Sequence, residues 1–141
     1  IPPDLQAKFE KAIERTKKGR YVFNIVFNYG GRKEIVDATR KIATEVAQGK
    51  LDLASISEEV FERYLYSPDI PPVDLLIRTS GELRISNFLL WESAYAELYF
   101  SKRLWPDFTP KDFCAALADY QKRQRRFGDI LSENNKELNH A

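Results

Sequence analysis

The alternation of apolar and polar positions along the chain predicts helices and strands that follow one another. Leu5, Phe9 and Ile13 recur every four residues, which is typical of one face of a helix, whereas runs of β-branched and aromatic residues indicate strands. The predicted helices span residues 4–17, 32–48, 57–65, 88–95 and 109–127, and the predicted strands span residues 21–28, 73–78 and 97–100. Strands that alternate with helices predict an α/β fold with a partly parallel sheet flanked by helices.

Local signals add detail to these elements. Ser57, with acids behind it, is a typical helix N-cap, and Thr109 followed by Pro110 is a second strong helix start. Gly30 and Gly31 predict a tight turn before the second helix. The apolar positions predict two buried helix faces, made of Ile35, Thr39, Ile42, Ala43 and Val46 in the second helix and of Phe113, Leu117 and Tyr120 in the last.

Composition and charge exclude several classes of function. The 141 residues are 43% apolar, which suits one globular domain, and the net charge of +1 argues against nucleic-acid binding. A single cysteine, Cys114, excludes an internal disulfide and favours a reducing, cytoplasmic compartment. The single histidine, His140, lies in a polar tail, so we expect neither a Ser-His-Asp or Cys-His mechanism nor a multi-histidine metal site. No apolar run is long enough for a transmembrane helix.

A candidate anion site follows the second predicted strand. Arg78 ends that strand, and open parallel sheets bind ligands at the carboxyl ends of their strands. Arg84 and Ser86 lie in the next loop, where their spacing allows both side chains to point the same way. Two guanidinium groups and a hydroxyl suit a diphosphate, and a helix beginning near Asn87 would add free N–H donors. The alternative is that the arginines form surface ion pairs. The acids available for such pairs are Asp74, Glu82 and Glu92.

Glu97 is a candidate metal ligand. It lies among aromatic and apolar residues, where an ionised carboxylate is difficult to solvate, and Mg²⁺ commonly takes one or two carboxylates plus substrate phosphates. One carboxylate is too few, so we expect a second from elsewhere. The alternative is that Glu97 simply points outward from a short edge strand.

Two further segments carry weaker functional signals. The turn Asn28-Tyr29-Gly30-Gly31-Arg32 can bring backbone N–H groups close to an anion, but its spacing fits neither a Walker loop nor a dinucleotide fingerprint. The basic stretch from Lys122 to Gly128 either lies near acidic lipid or a partner's phosphate site, or only complements the helix dipole.

Taken together, these segments closely resemble the cis-prenyltransferase family, which includes undecaprenyl diphosphate synthase. The matching segments keep the family's order and spacing over about residues 20 to 128. They are Asn28-Tyr29-Gly30-Gly31-Arg32, residues 74–100, Leu104-Trp105-Pro106-Asp107-Phe108 and Arg125-Arg126-Phe127-Gly128. The resemblance implies that residues 1–128 are the C-terminal part of a single cis-prenyltransferase domain, followed by a polar tail over residues 129–141.

The resemblance also implies a reaction and residues that serve it. The family condenses isopentenyl diphosphate with an allylic prenyl diphosphate, leaves a new cis double bond and uses Mg²⁺. Arg78, Arg84 and Ser86 are implied to hold the diphosphate of isopentenyl diphosphate, and Glu97 is implied to be a Mg²⁺ ligand. No side-chain nucleophile is required, so no residue of this chain is expected to be catalytic in that sense.

The basic C-terminal segment is implied to act between subunits. Arg126 and Gly128 match the family's Arg-x-Gly element, which reaches a partner subunit's active site in dimers. We therefore expect a homodimer, located in the cytoplasm and touching membranes only peripherally through its lipidic product.

One element of the family does not occur in this sequence. Family enzymes carry an Asp-Gly-Asn-Gly-Arg element, whose aspartate is the other Mg²⁺ ligand and whose loop holds the allylic diphosphate. We therefore expect that the chain carries the isopentenyl diphosphate site and one metal ligand, and that these 141 residues alone do not make polyprenyl diphosphate. The alternatives are a non-catalytic partner subunit, which lends its Arg-x-Gly element to an active one, and an inactive diphosphate-binding fragment.

Overall fold

The structure, a computed structural model, describes residues 1–124, which form four α-helices and a two-stranded parallel sheet. The helices are α1 (Pro3–Thr16), α2 (Gly31–Ala47), α3 (Glu58–Glu62) and α4 (Pro110–Tyr120), and the strands are β1 (Leu75–Arg78) and β2 (Glu97–Phe100). Single 3₁₀ turns cover Leu53–Ser55 and Trp105–Asp107. None of the helices in residues 1–124 has the length and apolarity needed to cross a membrane. The predicted α/β class, with a parallel sheet flanked by helices, is confirmed.

The sheet places the carboxyl end of β1 next to the loop that carries the candidate anion site. Leu75 lies opposite Glu97, and Arg78 lies opposite Phe100. Helix α4 packs against β2, and α3 packs against α2. The buried apolar residues are Ala38, Ile42, Leu65, Leu76 and Ala116. Because this core is small, hydrogen bonds between loops and helices contribute much to holding these elements in place.

The buried face of α2 is shifted from the predicted one. Glu34, Ala38 and Ile42 are buried at a spacing of four, as packing along one helix stripe requires. Of the five predicted positions, Ile42 is buried, Ile35 and Val46 are half-buried, and Thr39 and Ala43 are exposed. The observed face differs from the predicted one because it includes Glu34. A prediction from apolar positions places a glutamate on the solvent side of the helix.

The helix starts predicted at Ser57 and Thr109 are confirmed, and α1 and α2 end within one residue of their predicted ends, whereas α3 ends early. Ser57 Oγ accepts a hydrogen bond from the N–H of Val60, and Thr109 forms a capping box with Asp112. Helix α3 stops at Glu62, three residues before the predicted end at 65, and α4 stops at Tyr120. The predicted end of the last helix, Phe127, lies outside the described residues.

The predicted buried side of the last helix is wrong in two of its three positions. Phe113 is 47% exposed and Leu117 is 38% exposed, while Tyr120 is half-buried. The residue of α4 that is fully buried is Ala116. A small side chain lets the helix approach β2 closely, and this leaves the larger neighbours at the edge of the contact.

The predicted strand over residues 21–28 is wrong. This segment forms no strand, and Tyr21 and Phe23 are 83% and 88% exposed. A strand needs a neighbour that satisfies its backbone N–H and C=O groups, and within residues 1–124 β1 and β2 pair only with each other. One contact anchors the segment, since the ring of Phe27 lies 6.2 Å from that of Phe9 in α1.

The predicted helix over residues 88–95 is also wrong, because the chain forms successive turns there. Ser86, Asn87 and Leu89 have φ values of 48°, 64° and 45°, which a right-handed helix cannot contain. Residues 86–90, which we call the docked segment, lie instead against the N-terminus of α2, where the N–H of Gly31 donates to the carbonyl of Asn87 at 2.8 Å. Long-range contacts thus replace the local helix.

Gly31→Ala should destabilise the protein, although alanine is the better helix former. The added methyl group would lie 2.8 Å from Cγ and 3.1 Å from the backbone nitrogen of Leu90. Helix propensity favours alanine by roughly 0.5–1 kcal/mol, whereas forcing a methyl group into a packed contact costs about 1–3 kcal/mol. Urea denaturation should therefore give a lower free energy of unfolding for the variant.

The matched control for this prediction is Leu90→Ala, alone and combined with Gly31→Ala. Shortening Leu90 removes the contact at Cγ, so the double variant should lose less stability than the two single variants together. Strictly additive losses, or a gain in stability for Gly31→Ala, would contradict the close contact.

Candidate functional site

Arg78 and Ser86, two of the predicted diphosphate ligands, lie in direct contact. Arg78 ends β1, and its Nη1 donates hydrogen bonds to Ser86 Oγ at 2.9 Å and to the carbonyl oxygen of Arg84 at 2.5 Å. Both bonds use Nη1, and a guanidinium carries five N–H donors. Most of the planar fork therefore stays available for an anion.

A cavity of about 250 Å³ opens beside this contact. Its lining residues are Leu76, Ile77, Arg78, Ile85, Ser86 and Phe88. The lining thus combines one cation, one hydroxyl and an apolar wall. The cavity is smaller than the ~300–1,000 Å³ of pockets for drug-sized ligands, so it suits a small molecule with a charged head and a short hydrocarbon chain.

Arg84 lies in the same loop as Ser86, but its side chain is largely exposed to solvent. Its Nη1 forms an ion pair with Glu82, and the side chain is 61% exposed. Arg84 therefore forms a surface ion pair, which is the alternative that the sequence left open for both arginines. The described hydrogen bonds of Arg78 run instead to a hydroxyl and a carbonyl. An exposed pair of this kind is worth little, so an incoming anion can compete with Glu82 for Arg84.

The loop that carries these residues is tied to the chain beyond β2. The N–H of Ser80 donates to the carbonyl of Arg103 at 2.6 Å, and the N–H of Gly81 donates to that of Ser101 at 2.8 Å. Ser80 and Gly81 have φ values of 71° and 69°, which turn the chain sharply out of the strand. The entry of the loop is therefore fixed by backbone hydrogen bonds.

At the N-terminus of α2, two of the N–H groups that the Gly30-Gly31 turn could offer to an anion are bonded to Asn87 instead. The N–H of Arg32 donates to Oδ1 of Asn87 at 2.9 Å, and the N–H of Gly31 donates to the carbonyl of Asn87. No helix begins at Asn87 either, so the predicted donors from that source are also lacking. The donors described for an anion in this region are therefore the side chains of Arg78, Arg84 and Ser86.

Glu97 is not brought together with Arg78. It is the first residue of β2 and lies opposite Leu75, whereas Arg78 is the last residue of β1 and lies three positions further along. The two are thus separated by about 10 Å along the strands and, because side chains alternate, they belong to opposite faces of the sheet. Glu97 and the Arg78 cluster form two separate locations.

The surroundings of Glu97 fit a single metal ligand rather than a complete metal site. Its Oε2 accepts a hydrogen bond from Nη1 of Arg123 at 2.8 Å, and Nη2 of Arg123 pairs with Asp119 at 2.5 Å. Within residues 1–124 no group of three or more His, Cys, Asp or Glu side chains could hold a metal ion. One half-buried carboxylate, balanced by an arginine, provides one oxygen donor.

The basic stretch after α4 has a structural role where the structure describes it. Arg123 joins α4 to β2 through Asp119, Glu97 and the carbonyl of Leu98 at 3.0 Å. Arg126 and Gly128, the predicted partner-reaching residues, lie outside the described residues.

Sequence reasoning missed a buried acidic junction between α2, the docked segment and the turn near Tyr66. Glu34 is 1% exposed, and its carboxylate accepts hydrogen bonds from the Tyr29 hydroxyl and, at 2.9 Å, from the N–H of Tyr66. Burial and the bond to Glu34 raise the pKa of the Tyr29 hydroxyl. Tyr29 also packs edge-on against Phe88, with ring centroids 5.6 Å apart. The available signal was the spacing of Glu34, Ala38 and Ile42.

Glu92 is a second acid of this junction, and it is poorly satisfied. Its Oε2 is buried without a hydrogen-bond partner among the described residues. Burial, reinforced by the negative charges of Glu34 and Glu62, raises the pKa of the Glu92 carboxyl above its usual 4.5. Glu92 is therefore more readily protonated in the folded protein than an exposed glutamate would be.

Comparison with known proteins relates this arrangement to one family. Residues 1–128 match the prenyltransferase family model described as undecaprenyl diphosphate synthase. The chain is 52% identical over 133 residues to the isoprenyl transferase of Thermotoga maritima. The aligned region covers 94% of this chain and 56% of that protein. The chain is 51% identical over 125 residues to the ditrans,polycis-undecaprenyl-diphosphate synthase ((2E,6E)-farnesyl-diphosphate specific) of Haemophilus influenzae, with coverages of 88% and 52%.

A solved structure agrees with the fold. Lavandulyl diphosphate synthase from Lavandula x intermedia, crystallised in complex with dimethylallyl diphosphate, superposes with a TM-score of 0.86 at 41% identity. The match covers 92% of this chain and 56% of that one. The chain thus spans about half the length of the relatives it matches.

Glu92→Gln should stabilise the folded protein at neutral pH. The raised pKa of Glu92 means that its contribution to stability is complete below the ordinary value of 4.5 and is lost as the pH rises through the folded-state pKa. A neutral amide avoids this loss and can donate a hydrogen bond to Glu34. We expect a gain of about 1 kcal/mol in the free energy of unfolding at pH 7.5, and a smaller one at pH 4.5, by urea denaturation.

Glu58→Gln serves as the matched control for Glu92→Gln. Glu58 is an exposed acid in the first turn of α3, so its replacement should change stability by less than about 0.5 kcal/mol at either pH. A loss of stability in Glu92→Gln at pH 7.5, or a gain of the same size at both pH values, would show that Glu92 carries no such cost.

Proposed function

The chain belongs to the undecaprenyl diphosphate synthase family of cis-prenyltransferases, and we propose that it carries the isopentenyl diphosphate site of an enzyme of that family. In the proposed reaction, isopentenyl diphosphate condenses with an allylic prenyl diphosphate to give a cis-polyprenyl diphosphate. The observation that carries this proposal is the hydrogen bond from Arg78 to Ser86 at the carboxyl end of β1. This bond places a cation and a hydroxyl next to each other in the lining of a small, mostly apolar cavity.

Arg78, Ser86 and Arg84 would bind the diphosphate in complementary ways. Arg78 is already oriented by its bonds to the loop, so its fork can donate to phosphate oxygens without a large loss of side-chain freedom. Ser86 adds a hydroxyl donor. Arg84 adds a second positive charge by exchanging Glu82 for the ligand.

Binding at this site would prepare the substrate rather than attack it. With the diphosphate fixed, the apolar wall formed by Ile77, Ile85 and Phe88 would direct the short alkene chain. The new bond forms when the alkene attacks the allylic carbon, the allylic diphosphate leaves, and a proton is lost. Holding the alkene in one orientation lowers the entropic barrier to that encounter.

We also propose that Glu97 is one ligand of Mg²⁺, with phosphate oxygens and a carboxylate from outside this chain completing the set. Because Arg123 holds Oε2 of Glu97, the ion would use the other oxygen or displace Arg123. When bound, Mg²⁺ would supply positive charge that stabilises the departing diphosphate.

A homodimer in the cytoplasm, with peripheral membrane contact through its product, completes the proposal. Arg126 and Gly128, which lie beyond the described residues, would reach the active site of the partner subunit. Support for this part comes from the Arg-x-Gly element in the sequence.

The 141-residue chain should bind isopentenyl diphosphate in isothermal titration calorimetry, and Arg78→Ala should weaken that binding. Hydrogen bonds to charged groups contribute about 1.5–3 kcal/mol each, so the expected loss is roughly 10- to 100-fold. Lys122→Ala removes an exposed cation remote from the cluster and is the matched control, with an expected change of less than about twofold. Equal effects of the two variants would refute the site assignment.

The isolated chain should form no polyprenyl diphosphate when it is supplied with Mg²⁺, isopentenyl diphosphate and an allylic diphosphate. A chimera that adds the N-terminal part of the Thermotoga maritima isoprenyl transferase should be active, because it restores the remainder of that relative. In the chimera, Glu97→Gln should lower turnover by about a hundredfold or more if Glu97 binds the metal. Turnover by the isolated chain, or equally small effects of Glu97→Gln and Lys122→Ala in the chimera, would contradict these assignments.

A further inference from the structure

Asn87 connects the N-terminus of α2 to the loop of the proposed diphosphate site. A helix begins with N–H groups that have no partner within the helix, and Gly30, at the N-cap position of α2, has no side chain to accept from them. Asn87 supplies two acceptors from outside the helix. Its carbonyl accepts from the N–H of Gly31 at 2.8 Å, and its Oδ1 accepts from the N–H of Arg32 at 2.9 Å.

The two glycines make this approach possible. A Cβ atom at Gly30 would lie 2.9 Å from Nδ2 of Asn87, and one at Gly31 would lie 2.8 Å from Cγ of Leu90. The Gly30-Gly31 pair, which the proposed binding site does not use directly, thus leaves room for the docked segment. Its role is steric.

The conformation next to the ligand site requires an anchor of this kind. Ser86 and Asn87 are consecutive residues in the left-handed region, with φ values of 48° and 64°. Asparagine adopts this region more readily than serine, and such backbone persists only where surrounding contacts fix it. Return of Ser86 to an extended conformation would move Oγ away from Nη1 of Arg78.

We propose that Asn87 is a positioning residue for the diphosphate site. By capping α2 from outside, it holds Ser86 in the conformation that places its hydroxyl beside Arg78. The identity of the ligand rests on the proposed function. The coupling between the amide of Arg32 and the position of Ser86 does not depend on which ligand binds.

Amide hydrogen exchange, followed by NMR on the 141-residue chain, tests the coupling without a ligand. Asn87→Gly keeps the freedom to adopt a left-handed backbone and removes the acceptor Oδ1, so the amide of Arg32 should exchange about tenfold faster and the guanidinium signals of Arg78, which donates to Ser86, should shift. Asn87→Asp keeps an acceptor and should retain the protection of Arg32. Ser80→Gly is the matched control, because Ser80 is a left-handed residue of the same loop whose N–H donates to the carbonyl of Arg103 rather than to a group of α2.

Calorimetry with isopentenyl diphosphate then tests the consequence for binding. Asn87→Gly should weaken affinity about tenfold, and Ser80→Gly should change it less than twofold. Gly30→Ala tests the same contact by a change in the helix. Its methyl group would displace the side-chain amide of Asn87, so the affinity should fall although the loop sequence is unchanged. Thermal melting of each variant shows whether the fold is retained.

The outcomes separate this inference from the proposed function. Wild-type affinity in both Asn87→Gly and Gly30→Ala, with binding lost in Arg78→Ala, would overturn the role of Asn87 and leave the diphosphate site standing. Absence of binding by the wild-type chain would refute the proposed function, and the exchange data would still decide the coupling. Unchanged guanidinium signals of Arg78 in Asn87→Gly would overturn the coupling.

Discussion

The contact between the docked segment and the glycine N-terminus of α2 is the constraint on which the site depends. It is made of two hydrogen bonds to Asn87 and of the close approach of Leu90 to Gly31. Because few apolar side chains are fully buried in residues 1–124, general hydrophobic packing fixes this region less than these directed contacts do. Helix α2 acts as a rigid support, and the loop with Ser86 takes its shape from that support.

The acidic junction meets the proposed anion site through Phe88, which packs against Tyr29 and lines the cavity beside Arg78. Glu34 is fully buried but well satisfied by Tyr29 and Tyr66, whereas Glu92 retains an unpaired oxygen. Because its pKa is raised, Glu92 takes up a proton more readily than an exposed glutamate does, which lowers the negative charge of the junction. The raised pKa is therefore compatible with anion binding, even though it costs stability at neutral pH.

Signals that act over a few residues predicted their elements well. Ser57 and Thr109 mark true helix starts, because an N-cap needs only the next three residues, and β2 was predicted with its observed limits. Of the site, the proximity of Arg78 and Ser86 followed from their position after a strand. The wrong predictions over residues 21–28 and 88–95 involve distant partners. Residues 21–28 have no neighbouring strand in the described part of the chain, and residues 88–95 are shaped by α2 rather than by their own helix propensity. Glu34 was missed because its burial depends on tyrosines that lie outside its own helix.

The exposed apolar segment over residues 21–27 has a consequence for the behaviour of the chain in solution. It contains aromatic and β-branched residues, a single polar one at Asn24, and neither charge nor proline. Such a sequence can serve as a template for cross-β stacking between copies. Because the rate of that association grows with protein concentration while the rate of intramolecular folding does not, association through this segment competes more strongly with folding as the protein is concentrated.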